Sequence, residues 1–299
     1  MWIALLPTAC TRAPTPASTL TPTSTPTPTS ALTPTPTPTA ATPTPTESPP
    51  PSPPPPDMFP VPAGTFTMGA DTGGEGDERP AHKVTLPAFL LDKTEVTNAA
   101  YAECVDATQC RPRASRDFPR PKQPATFVGW EDARAYCAWR GKRLPREAEF
   151  ERAIRGDDAR NYPWGNEPPN AERAVFARPM PNDVGSKPAG RGPFGHDDLA
   201  GNVWEWMDDF YDPFAYARAT ASEGRVGTCD EILAAQDKLR KEQKQGFTGT
   251  NPIPVECERS IRGGAYNYGG AGLRATNRVH HAANFRIPVL GFRCAKDAR

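Results

Sequence analysis

The 299-residue chain has no surplus of either charge: 35 Lys and Arg stand against 35 Asp and Glu. That balance excludes the concentrated basic field on which general nucleic-acid or anionic-membrane binding depends. No run of 18 apolar residues occurs, so no segment reads as a membrane-spanning helix. Histidine is scarce, and of the four only His280 and His281 are neighbours. Adjacent residues on a strand point to opposite faces, so these two cannot chelate one ion together, and they read as surface or loop packing. The seven cysteines include no CxxC pair, which argues against a sulfur-ligated zinc site.

Proline is plentiful but unevenly spread, with 18 of 38 in the first 56 residues. Between Ala13 and Pro56, only Leu20, Leu32 and Glu47 interrupt a run of Pro, Thr, Ser and Ala. Such a stretch buries almost nothing and cannot offset its ordering entropy, so residues 13–57 read as a disordered linker. In a polyproline II conformation it would reach roughly 140 Å, a tether rather than a domain. Folding is therefore expected over 58–299, long enough for one sizeable core.

Residues 1–12 resemble the tail of a truncated bacterial lipoprotein signal, with small residues before Cys10. This makes Cys10 the expected lipidation site and the chain an extracytoplasmic, membrane-anchored lipoprotein or cell-surface protein. Any membrane contact would then be through that anchor alone. The alternative is an unprocessed apolar terminus with an incidental cysteine; Pro7 and the missing basic region depart from the signal pattern. In an exported chain the six remaining cysteines read as disulfide partners.

Along the folded part, Met58 to Leu91 alternates apolar residues with turns, as short strands do. Thr97 is a natural cap for a helix over Asn98–Val105, closed off by a Cys104–Cys110 loop. Glu131–Arg140 reads as a second helix stopped by Gly141, and Arg146–Arg155 as a third, after Pro145 and before Gly156. From Asn161 to Gly227 the dense Gly, Pro and Asn predict long ordered loops. Thr228-Cys-Asp-Glu231 is a capping box opening an exposed charged helix. Cys229 and Cys257 bracket that helix and are expected to pair.

Seven segments together resemble the formylglycine-generating enzyme, or sulfatase-modifying factor, family. They are Pro62–Gly69, Lys93–Asn98, Gly141–Phe150, Tyr162–Asn166, Leu199–Trp206 (Leu-Ala-Gly-Asn-Val-Trp-Glu-Trp), Arg262–Ala265 (Arg-Gly-Gly-Ala) and Gly291–Cys294 (Gly-Phe-Arg-Cys). They occur in the family's order and cover nearly all of 58–296. The resemblance implies an α+β fold: one C-type-lectin-like domain, loop-rich, with short strands and a few short helices. A helical insertion at about 212–256 stands outside it. The resemblance also implies that Cys137 pairs with Cys294.

Catalytic members of the family bind copper(I), a soft ion, through two cysteines after the Arg-Gly-Gly turn. Counted from Gly263, those positions fall on Tyr268 and Leu273. Neither supplies a thiolate, so copper-dependent formylglycine formation is not expected, and no catalytic residue is assigned. Iron-binding relatives take ligands from a preceding domain, whose place the Pro/Thr stretch occupies. The resemblance implies a structural calcium ion instead, held by Asp198 and Glu205 and the carbonyls of Gly201 and Val203; the alternative is that Glu205 simply accepts backbone bonds in the loop. Carboxylates and carbonyls on one tight loop suit a hard cation. A second calcium position of the family falls on Val175, which has no side-chain oxygen.

The remaining polar groups, Asn267, Tyr268, Arg274, Asn277 and Arg278, are candidates for contacting a ligand, since guanidinium forks and amides recognise carboxylates, sulfates and sugars. The competing reading makes Arg262, Arg274 and Arg293 structural. The leading expectation is thus a ligand-binding or structural surface module for a peptide, glycan or small molecule. The rival is a divergent enzyme of the same group with a different active site.

Overall fold

In a computed structural model, residues 57–218, 221–242 and 256–298 are described, the side chains of 238–242 excepted. The Cys10 segment and the Pro/Thr stretch to 56 lie outside the described residues. Asp57, expected as the last linker residue, belongs with the fold. Its carboxylate accepts from Lys142 Nζ at 2.6 Å and its carbonyl from the Lys93 N–H at 2.9 Å.

The architecture is α+β and loop-rich, built on three small sheets. Strands β1 (Met58–Val61), β4 (Phe89–Asp92) and β9 (Ala295–Asp297) form one, with β4 in the middle, so the start and end of the folded region meet. Strands β2 (Gly64–Met68) and β3 (His82–Leu86) form an antiparallel pair that buries Phe66, Met68, Val84 and Leu86. The third sheet has the order β7-β6-β5-β8: Val279–His281, Arg259–Arg262, Trp204–Phe210 and Leu290–Gly291. Here β5 runs antiparallel to β6 and parallel to β8.

Helix α1 spans Asn98–Asp106, and the Thr97 hydroxyl accepts from the Ala100 N–H at 3.2 Å, as a cap should. Helix α2 spans Trp130–Trp139, ending before Gly141, whose φ of +68° favours glycine. Helix α3 spans Glu147–Arg155. Arg146 is its N-cap rather than its first turn, because Glu149 reaches back to the Arg146 N–H at 2.8 Å. Helix α4 spans Cys229–Glu242, opened by Thr228 and Glu231, whose side chains each accept the other's backbone N–H. All three expected disulfides form: Cys104–Cys110, Cys137–Cys294 and Cys229–Cys257.

One element departs from the expected loops. Strand β5 lies inside the stretch read as loop, and its first four residues are all buried. Burial on both faces removes the alternation by which a strand is recognised. Its acid Glu205 is accommodated by a guanidinium from far along the chain, Arg293.

The apolar core falls into two main clusters. One gathers Tyr101, Tyr136, Trp204, Trp206 and Phe292 around the Cys137–Cys294 bridge. The other packs β2, β3 and β4 against Phe150 and Ile154 of α3.

Candidate functional site

Three loops are sewn together around the Arg-Gly-Gly turn. Gly263 and Gly264 sit at φ of +99° and +83°, and a Cβ on Gly264 would lie 2.8 Å from the Gly272 carbonyl. Gly201 donates its N–H to the Gly263 carbonyl at 2.8 Å, and Tyr266 donates to the Asn202 carbonyl at 2.8 Å. Asn202 in turn donates to the Val175 carbonyl at 2.9 Å. The turn is thereby fixed against the Gly-Asn-Val-Trp-Glu-Trp loop and the 174–178 segment.

At this junction Tyr268 is 44% exposed and stands edge-on to Trp204, with ring centroids 5.4 Å apart at 89°. Trp204 is buried, and its indole N–H has no hydrogen-bond partner. Beneath Tyr268, the residues Trp204, Ile261, Val279, His281 and Leu290 line a slot of about 10 Å³, room for about one water. Burial lowers the pKa of His281, so its imidazole is held neutral more readily; its ring stacks on Phe285 at 4.2 Å. Leu273 points the other way, buried with Ala174 and Ala200.

The five expected ligand-contact residues separate into two groups. Asn267 and Tyr268 are exposed and Asn277 is half-buried, so these three line open surface. Arg278 is fully buried and so is not presented to a ligand, which corrects the expectation of it as a ligand contact. Its Nε and Nη2 donate to the two Glu147 oxygens at 2.7 and 2.9 Å, and Nη1 donates to the Asp77 carbonyl at 2.8 Å. Arg274 is also engaged, donating to Glu78 at 2.5 Å and to the Ala271 carbonyl at 2.7 Å. Arg262 and Arg293 are fully buried as well, as the structural reading of those residues expects. Burial would raise the Glu147 carboxyl, but Arg278 and Arg262 outweigh it and hold it below the usual range.

The expected calcium residues Asp198, Gly201, Val203 and Glu205 are all buried. Asp198 takes a left-handed φ of +55°, and its carboxylate accepts the Gly185 N–H. Glu205 is held by both nitrogens of the Arg293 fork at 2.7 Å. Sequence reasoning did not assign Glu95, which joins them although it lies in the quoted Lys93–Asn98 segment. Its Oε1 accepts from Asn202 Nδ2 at 3.0 Å, and its carboxyl lies against that of Asp198. Burial pushes the Glu95 carboxyl well up, and the charges of Asp198 and Glu205 add to it. Burial likewise raises Asp198 and Glu205 despite Arg293. Three buried carboxyls thus share one guanidinium; a bound cation would favour their ionised forms, which burial otherwise opposes. Among the described residues, no three His, Cys, Asp or Glu side chains converge in metal-ligating geometry. A cation here would therefore depend on backbone carbonyls for its remaining ligands. Nearby His196 is buried, and burial, with Arg293, lowers its pKa to about 4 against the opposing backbone carbonyls of Phe59 and Leu91.

Comparison with known proteins agrees with this geometry. Residues 44–298 match the model of the sulfatase-modifying factor enzyme 1-like domain. A formylglycine-generating enzyme from Streptomyces coelicolor is 30% identical over 309 residues, covering 80% of this chain and 88% of that protein. A hercynine oxygenase from Mycolicibacterium thermoresistibile is 35% identical over 185 residues, covering 47% and 41% of the two chains. The solved structure of PvdO from Pseudomonas aeruginosa superposes with a TM-score of 0.62 at 27% identity, covering 80% of this chain and 94% of that one. The chain belongs to the sulfatase-modifying factor enzyme 1-like domain family.

Proposed function

We propose that this protein is an exported, lipid-anchored member of the family that acts as a ligand-binding surface module without copper-dependent formylglycine-generating activity. One observation carries the reading. The positions that the family resemblance gives to copper-binding thiolates hold an exposed Tyr268 and a buried Leu273. The six described cysteines are all consumed in disulfides, which leaves no thiolate among the described residues for that turn. Tyr268 then presents an aromatic ring at the rim of the Trp204 slot, and its exposed chain neighbour Asn267 an amide, groups suited to recognising a peptide, glycan or small molecule. Incubation with copper(I), oxygen and a sulfatase-motif peptide is expected to yield no formylglycine by mass spectrometry; its appearance would overturn the reading. Cys10→Ser is expected to abolish partition into detergent, and unchanged partition would remove the anchor.

Calcium is the cofactor that fits these buried carboxyls, with Asp198 and Glu205 and the Gly201 and Val203 carbonyls as its holders. Its role would be to fix the loop that carries Trp204. Metal analysis is expected to find one calcium per chain, reduced in Glu205→Gln. Undiminished calcium in that variant, or a melting temperature indifferent to chelator in the native chain, would sink the assignment.

A further inference from the structure

A second cleft lies apart from the Tyr268 site, between the start of α3, the end of β5 and the segment leading into α4. Its volume is about 390 Å³, within the range of small-molecule sites. Two cations in its wall lack a carboxylate partner among the described residues. Arg225 is exposed and makes no ion pair with any of them. The Arg259 guanidinium lies between the rings of Trp130 and Phe210, 3.6 Å from each centroid. It makes one hydrogen bond, Nη1 to the Asp208 carbonyl at 2.7 Å. The aromatic pair thus holds the fork in place and leaves its other N–H groups uncommitted. The third cation, Arg146, is already taken by Glu149.

The walls also say which anion fits. Asp208 and Asp209 line the same cleft, and the Asp208 carboxylate opposes a dianion more than a monoanion. Asp209 is itself occupied, accepting the Glu147 N–H at 2.6 Å. The Thr228 hydroxyl donates to Glu231. A planar, singly charged group matches a guanidinium fork in two parallel hydrogen bonds. Asp208, whose side chain makes no ion pair with a described residue, can accept from a hydroxyl next to that group.

We propose that this cleft binds a small carboxylate, its charged end gripped by Arg259 and Arg225 and an adjacent hydroxyl accepted by Asp208. The site goes beyond the Tyr268 surface and shares no residue with it.

The test titrates the full ¹⁵N-labelled chain with acetate, glycolate and inorganic phosphate at constant ionic strength. The readouts are the Arg259 Nε–H and Trp130 indole N–H resonances. Saturable shifts are expected with both carboxylates, tighter for glycolate, and weaker or absent with phosphate. Arg225 is exposed and makes no hydrogen bond or ion pair with a described residue, so Arg225→Ala is expected to keep the native melting temperature while weakening glycolate about tenfold. Arg259→Lys keeps the charge but loses the fork, and is expected to weaken glycolate at least as much. Non-saturating shifts, undiminished binding in Arg225→Ala, or phosphate binding more tightly than the carboxylates would each overturn the proposal.

Discussion

Helices α3 and α4 are built from much the same residues and end in opposite surroundings. α3 reads Glu-Ala-Glu-Phe-Glu-Arg-Ala-Ile-Arg, and all nine residues are buried. α4 opens with Asp230 and Glu231 exposed to solvent and buries only Ile232 and Gln236 among its described side chains. The difference lies in what the rest of the chain brings to each. Glu147 meets Arg278 and Arg262, Glu149 meets Arg143 and Arg146, and Glu151 meets Arg155 and Arg262. Arg143, Arg146 and Arg155 are local, but Arg262 and Arg278 come from more than a hundred positions along the chain. A charged helix can enter a core when every carboxylate finds its guanidinium; without them it stays in water.

Removing one partner should break that arrangement with the largest effect. Arg278→Met leaves Glu147 buried beside Arg262 alone and is expected to cost about 3–5 kcal/mol in urea unfolding. Pairing it with Glu147→Gln should recover part of the loss. On α4, Asp230→Ala is the control, with an expected change within about 0.5 kcal/mol. Equal losses at the two helices would refute the comparison.

The Cys229–Cys257 bridge spans 28 residues and brackets α4. If α4 depends on that tether where α3 depends on ion pairs, replacing both cysteines by serine should cost about 3 kcal/mol. The α3 network should be untouched, read as unchanged amide-exchange protection at Phe150 and Ile154.

A third test uses the acid that caps α3 from outside. Burial, with the charge of Glu147 added, pushes the Asp209 pKa up to about 7. The folded value lies above the unfolded one, so ionisation opposes folding. The penalty is absent below about pH 4, grows as pH rises, and is complete above about pH 7. Asp209→Asn keeps an acceptor for the Glu147 N–H and is expected to be more stable than the native chain at pH 8, by about 2 kcal/mol for a half-buried group. That advantage should shrink toward pH 4. A pH-independent difference would show that Asp209 stays ionised without cost.

What could be read in the sequence was local or motif-borne. Thr97 and Thr228 announce their caps within three residues, and the bracketing of α4 gives Cys229–Cys257 directly. The ordered segments give the family and, through it, Cys137–Cys294. What escaped depends on partners brought together by folding. Arg278 looks like a surface recognition group until Glu147, 131 positions earlier, is placed against it. Glu95 joins Asp198 and Glu205 only because the loops carrying them converge. β5 hides because both its faces are covered.

The smallest effect tests whether α4 is helical for local reasons at all. With little core to hold it, its first turn rests on Thr228 and Glu231: the Glu231 carboxylate accepts the Thr228 N–H at 2.8 Å, and Thr228 Oγ1 accepts the Glu231 N–H at 3.4 Å. The Thr228 backbone and hydroxyl bonds lower the Glu231 pKa. Thr228→Ala removes the cap and should cost about 1 kcal/mol, seen as faster amide exchange in the first turn of α4. At α1 the same residue type caps a helix whose Tyr101 and Cys104 are buried. Thr97→Ala should therefore leave exchange within α1 slow while lowering global stability by a similar amount. If both variants open their helices locally, burial is not what distinguishes them.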